Sequence, residues 1–121
     1  MRKLGVMLSS REWLSILQQV VKTTRFNGHV VYVIYRSDIV KQLEKMYPKV
    51  RSCSFGLHNA CFWIAMNRLC RKLGMKYIVT QTKKSGRYRG RYLLTDSDVD
   101  VELVKLSTSG RYVRVYKCVE V

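Results

Sequence analysis

Lys83, Lys84, Arg87, Arg89 and Arg91 crowd into nine residues of this chain, and the three arginines are spaced two apart. On a strand that spacing projects all three from one face, with Tyr88 and Tyr92 on the other. Such a basic ribbon suits phosphate oxygens and the narrow minor groove of a duplex, where Arg is favoured. Edge-strand cations that only prevent aggregation are the plainer reading. A second set, Ala60, Ile64, Asn67, Arg68 and Arg71, shares one side of a helical wheel. Asn can bond adenine bidentately, Arg can bond guanine or phosphate, and Ala or Ile can meet a thymine methyl. Here the plainer reading is a solvated helix face.

Catalytic chemistry finds little to hold. The chain has two histidines and no G-x-x-x-x-G-K-[ST] phosphate loop. Cys53 with His58 is the one cheap thiol and imidazole pair, and it lacks an orienting third group in view. Cys53, His58, Cys61 and Cys70 can be drawn around a zinc. However, Cys61 and Cys70 are nine apart on one expected helix, which puts them on nearly opposite sides, and no C-x-x-C is present. Small buried thiols are the better reading of the four cysteines. The expectation is a protein that is not an enzyme and uses neither metal nor cofactor.

Charge narrows the partner. Residues 45–95 contain no carboxylate and hold twelve of the 23 Lys and Arg in a chain of net charge +15. Self-repulsion on that scale calls for a polyanion, either nucleic acid or an anionic membrane. No run of about 18 apolar residues is present to span a bilayer. The apolar stretch after Met1-Arg2-Lys3 stops after five residues, so it does not read as a secretory signal, and a cytoplasmic protein is expected. At 121 residues the chain has the size of a single domain, 1–121, able to bury roughly two thirds of its unfolded surface.

Three helices and a hairpin must position the cations. Ser9 precedes Glu12 by three, a capping box, and Leu8 can staple onto Trp13. Trp13, Leu14, Leu17, Val20 and Val21 then recur at helical spacing, predicting a helix over 10–24. Phe26-Asn27-Gly28 is turn chemistry, and 29–35 reads as one strand. Ser37 can cap a second helix through Ile39, Val40, Leu43, Met46 and Tyr47, closed by Pro48. The third helix is expected from Ser54 to Gly74, with Phe62, Ala65, Met66, Leu69 and Leu73 turned inward. Tyr77-Ile78-Val79-Thr80 is a strand, Lys83-Lys84-Ser85-Gly86 a turn, and 87–95 the returning strand.

This order over about residues 9–95, with Met66-x-x-Leu69, Gly74-Met75, the basic Gly-containing hairpin and Tyr92-Leu93-Leu94-Thr95, resembles the winged helix-turn-helix DNA-binding family. The resemblance implies an α+β fold of helix, strand, helix, helix and β-hairpin as a winged-helix core, 9–95. It implies a recognition helix over 54–73 that reads the major groove through Asn59, Ala60, Trp63, Ile64, Asn67, Arg68 and Arg71. The wing would be 76–95, gripping DNA through Lys83, Lys84, Arg87, Arg89 and Arg91. Two features depart from the family pattern. The first strand is longer than usual, which hints at an enlarged sheet, and Gly74 follows Leu69 by five positions rather than four.

Ser109-Gly110-Arg111-Tyr112-Val113-Arg114-Val115-Tyr116 echoes Ser85-Gly86-Arg87-Tyr88-Arg89-Gly90-Arg91-Tyr92. An additional C-terminal β-hairpin is therefore expected over 96–121, with Val113 and Val115 buried where the wing carries Arg89 and Arg91. Its incoming segment 96–107 fits either a strand through Val99, Val101 and Leu103 or a helix through Val99, Leu103 and Leu106. The strand is chosen, with Asp96, Asp98 and Asp100 as a solvated turn or edge rather than a metal site. The expected function is site-specific binding of double-stranded DNA in transcription regulation, with helix 1 or the final hairpin available for a homodimer. Alternatives are an architectural or single-strand binder stacking bases on Trp63, Tyr88 and Tyr92, and a protein-interaction module.

Overall fold

The first helix begins where its capping chemistry puts it. In the computed structural model, which describes residues 8–49, 57–82, 90–107 and 113–118, Ser9 Oγ accepts from Glu12 N at 3.1 Å and Glu12 Oε1 accepts from Ser9 N at 2.9 Å. The resulting helix, α1, spans Ser10–Val20. It stops short of Thr24 because Thr23 and Thr24 are β-branched and enter a strand instead. That strand, β1 (Lys22–Phe26), pairs antiparallel with β2 (His29–Tyr35). Asn27 (φ 52°) and Gly28 (φ 82°) close the turn in the left-handed region, as a two-residue hairpin loop demands. The single strand expected over 29–35 thus has a partner that the sequence reading missed.

β2 runs straight into α2 (Arg36–Met46), whose cap position is Tyr35, without a side-chain hydrogen bond. The expected Ser37 cap is corrected: Ser37 lies inside the first turn. Asp38 in the same turn complements the positive helix end and pairs with Lys22 at 3.0 Å. The third helix, α3 (Ala60–Lys72), also starts later than expected. His58 has φ 73°, incompatible with a helix, and Asn59 is the cap, its Oδ1 accepting from Phe62 N at 2.9 Å. The part of the expected helix over 54–56 lies outside the described residues. Gly74 takes φ 75° just past the last turn, as its position predicts.

β3 (Tyr77–Thr82) and β4 (Gly90–Thr95) form the expected hairpin arms. The segment after them overturns the strand expected over 96–107: it is a helix, α4 (Asp98–Ser107). Asp100 N donates to Ser97 Oγ at 3.4 Å and Val101 N to Ser97 O at 3.3 Å, so Ser97 acts as the cap. Asp98 and Asp100 in the first turn favour the helix N-terminus. β5 (Val113–Lys117) therefore pairs not with 96–107 but with β3. Val113 and Val115 do pack inward, as expected.

The architecture is α+β, a five-stranded antiparallel sheet in the order β1-β2-β4-β3-β5 with four helices. Both faces of the sheet are covered. On one, Trp13, Ile16 and Leu17 of α1, Ile39 and Leu43 of α2, and Phe62, Met66 and Leu69 of α3 pack on Ile34, Ile78, Tyr92 and Leu94. On the other, Val101 and Val104 of α4 pack on Val31, Val79 and Leu93. The central strand β4 feeds Tyr92, Leu93 and Leu94 alternately to the two cores, so consecutive residues are all buried. Each such side chain contributes roughly 1.5–3 kcal/mol of burial. α1 packs closely on α3, with Trp13 edge-on to Phe62 at 5.1 Å.

Cys70 of α3 is disulfide-bonded to Cys118, just after β5, with Cα atoms 6.1 Å apart. This corrects the reading of Cys70 and Cys118 as unlinked buried thiols and removes Cys70 from any zinc set in this state. Spacing alone could not find the pair, because four cysteines allow three connectivities. Cys61 is free, and Cys53 lies outside the described residues.

Candidate nucleic-acid interface

α3 carries the two faces its sequence predicts. Phe62, Ala65, Met66 and Leu69 are buried, whereas Ala60, Arg68 and Arg71 are exposed and Ile64 and Asn67 are half-buried. Arg71 and Lys72 also complement the negative C-terminal end of the helix, which is a structural reason for cations there. Of the other expected contacts, Asn59 is committed to the cap. Asn67 Oδ1 is buried without a hydrogen-bond partner among the described residues, an arrangement that costs about 1–3 kcal/mol unless a partner is supplied.

Trp63 is packed among other rings. His58 stacks on it at 5.4 Å with planes 25° apart, and Tyr116 of β5 lies at 4.7 Å and 41°. Phe62 and Tyr92 meet its edges. An unpaired base stacking on Trp63 would compete with His58 and Tyr116 for its ring. Tyr92, another of the expected stacking residues, is fully buried and unavailable, and Tyr88 lies outside the described residues.

A polar chain without a local signature links His58, Tyr92 and Arg36. Tyr92 Oη donates to His58 Nε2 at 2.5 Å and in turn accepts from Arg36, the first residue of α2. Desolvation, helped by the Arg36 charge, lowers the His58 pKa from 6.5 to about 4, so the imidazole is neutral near pH 7 and accepts. Burial raises the Tyr92 phenol pKa well above its ordinary value, outweighing the opposing effect of Arg36. With its Nε2 engaged by Tyr92, His58 is poorly placed as a base for a thiol.

In the wing, Lys83, Lys84, Arg87 and Arg89 lie outside the described residues. Arg91 is half-buried at the hairpin base, where its Nε donates to Gln81 Oε1 of the paired strand at 2.5 Å. By strand alternation Arg91 shares the Leu93 face, the side covered by α4, while α3 covers the Tyr92 face. At the hairpin base the wing cation and the outward face of α3 therefore lie on opposite sides of the sheet. Arg91 and the outward face of α3 therefore do not share one continuous docking surface.

Two further constellations escaped the sequence reading. Lys22, Lys41 and Lys45 line an open groove of about 320 Å³ with Gln19, Gln42 and Asp38, between α1 and α2. Asp100, expected to be solvated, is fully buried: its Oδ2 accepts from Thr95 Oγ1 at 2.5 Å and lies 2.7 Å from His29 Nε2. This network ties α4 to the β1–β2 hairpin. Asp96 and Asp98 are exposed, as expected. The local signal for Asp100 was Ser97 three residues before it, a helix start that turns the third acid inward.

Compared with protein-family models, curated proteins and solved structures, the chain matches none. Among the described residues, no helix is long and apolar enough to cross a membrane.

Proposed function

We propose that the protein binds double-stranded DNA at specific sites, as a transcription regulator, with α3 in the major groove and the basic hairpin against the flanking backbone or minor groove. One observation carries this reading: Ala60, Arg68 and Arg71 are exposed on α3, with Ile64 and Asn67 half-buried beside them, inside a stretch without a single carboxylate. The sheet order supports it further, since β2-β4-β3 places the first long strand beside the returning wing strand, as a winged-helix arrangement would. Specificity would come from Asn67, affinity from Arg68 and the remaining cations. A duplex that supplied a donor to Asn67 Oδ1 after a small side-chain rotation would relieve its unpaired state.

A cytoplasmic site of action belongs to the same reading, and there the Cys70–Cys118 bond would have to withstand a reducing thiol pool. A second reading, non-specific duplex binding, is favoured by cations on several sides: Arg91 on the α4 face of the sheet, Arg68 on α3, and the Lys22, Lys41 and Lys45 groove. Titration of one duplex, its separated strands and a scrambled duplex against salt decides between them. If about six phosphates are neutralised, log K falls with log salt at a slope of about −5. A flat salt response would overturn both readings, and equal affinity for all duplexes would leave only the second.

A further inference from the structure

α4 is apolar on two sides. Val101 and Val104 are buried against the sheet, while Val99, Leu103 and Leu106 are 58%, 37% and 76% exposed. Their spacing of four and three puts them on one stripe turned away from the core. The same segment is the acidic part of a strongly basic chain. Residues 96–107 contain Asp96, Asp98, Asp100 and Glu102 against Lys105 alone, within a protein of net charge +15. Two such chains repel each other over most of their surfaces, and α4 is where that repulsion is least. The charges on α4 are also ordered, with Asp98 in the first turn, Glu102 next, and Lys105 in the last turn, where it pairs with Glu102 at 3.4 Å.

We propose that α4 is a self-association surface whose occupant is the α4 of a second copy, packed antiparallel about a two-fold axis. An antiparallel pair buries both stripes of Val99, Leu103 and Leu106 together. It also sets the basic end of each helix against the acidic end of the other and opposes their dipoles. Stable interfaces bury about 1,200–2,000 Å² in total, more than one ten-residue helix supplies. The association is therefore expected to be weaker than that of a stable dimer, with a dissociation constant on the order of 1–100 µM. This inference does not depend on the DNA-binding reading.

Sedimentation equilibrium of the full chain without nucleic acid, from about 1 to 300 µM, tests it. A monomer–dimer equilibrium is expected. Leu106→Glu, at a position already mostly in water, should raise the dissociation constant at least about tenfold while leaving the unfolding midpoint unchanged. Lys105→Glu should weaken the dimer, and the exchange Glu102→Lys with Lys105→Glu should restore it. A chain that stays monomeric throughout, or a dimer indifferent to Leu106→Glu, overturns the proposal. A dimer through α4 that ignores duplex DNA would keep this inference and overturn the DNA-binding reading instead.

Discussion

Tyr116 of the last strand lies against Trp63 in the first turn of α3, with ring centroids 4.7 Å apart. Two residues further on, Cys118 is covalently joined to Cys70 near the other end of the same helix. β5 therefore borders the side of α3 that bears Trp63, Asn67 and Cys70, while Ala60, Arg68 and Arg71 stay in solvent. The C-terminal strand does two jobs: it extends the sheet beyond β3 and fixes one flank of the candidate recognition helix.

Breaking the Cys70–Cys118 tether should be costly. The bond closes a separation of 48 residues, for which loop-closure entropy gives about 4 kcal/mol, with about 2–4 kcal/mol typical of measured cases. Cys118→Ser, or a dithiol reductant on the native chain, should lower the urea midpoint accordingly. An unchanged midpoint in both would mean that the tether contributes nothing to folding.

His58 should make stability depend on acid. Its folded pKa of about 4 lies below the ordinary 6.5, so the folded state disfavours the imidazolium. The contribution is therefore fully present above about pH 6.5 and is lost as pH falls through about 4. An imidazole NMR titration should place the His58 midpoint near about 4, well below the ordinary 6.5. Arg36→Gln removes the lesser of the two causes and should move the His58 midpoint upward. A His58 midpoint at 6.5 in the native chain would mean that neither desolvation nor the Arg36 charge acts on its ring.

Asp100→Ala should destabilise the fold by about 2–3 kcal/mol, because it strands the buried Thr95 hydroxyl and frees His29. The loss stays below that of a fully buried ion pair because the His29 side chain is 40% exposed. Asp96→Ala, in solvent, should change stability by no more than about 0.5 kcal/mol. Denaturant curves of the two variants, compared side by side, check the contrast.

Local chemistry was legible and pairing was not. The capping box at Ser9, the two faces of α3, Gly74 past its end and the β3–β4 arms all follow from periods and caps within a few residues of one another. β1 was missed because Lys22–Phe26 has an exposed, polar pattern, although Asn27-Gly28 is the strongest short hairpin signal a chain can carry. α4 was misread because Val99, Val101 and Leu103 satisfy a period of two as well as a helix. Only the sheet decides, by accepting Val101 and Val104 together. At the candidate site the outward residues of α3 were readable from the wheel. The rings that occupy Trp63 and the side on which Arg91 projects depend on β5 and on the position of α4, which are long-range facts.

Asn67 and Arg68 should separate specificity from affinity. The two are neighbours on α3, but Arg68 is exposed while Asn67 is half-buried, its carbonyl turned in and unpaired among the described residues. Arg68→Ala should weaken every duplex to a similar degree and reduce the salt slope by about 1, as the loss of one phosphate contact does. Asn67→Ala removes a group able to read adenine and should cost about 1–3 kcal/mol on the preferred site and little on others. It should not lower the unfolding midpoint, because it deletes an unsatisfied buried oxygen rather than a hydrogen bond. Binding isotherms on a selected and a scrambled duplex at two salt concentrations measure all of these quantities. If the two variants lose affinity equally on both duplexes, Asn67 reads no base and the site-specific function fails, leaving a helix that only neutralises phosphate.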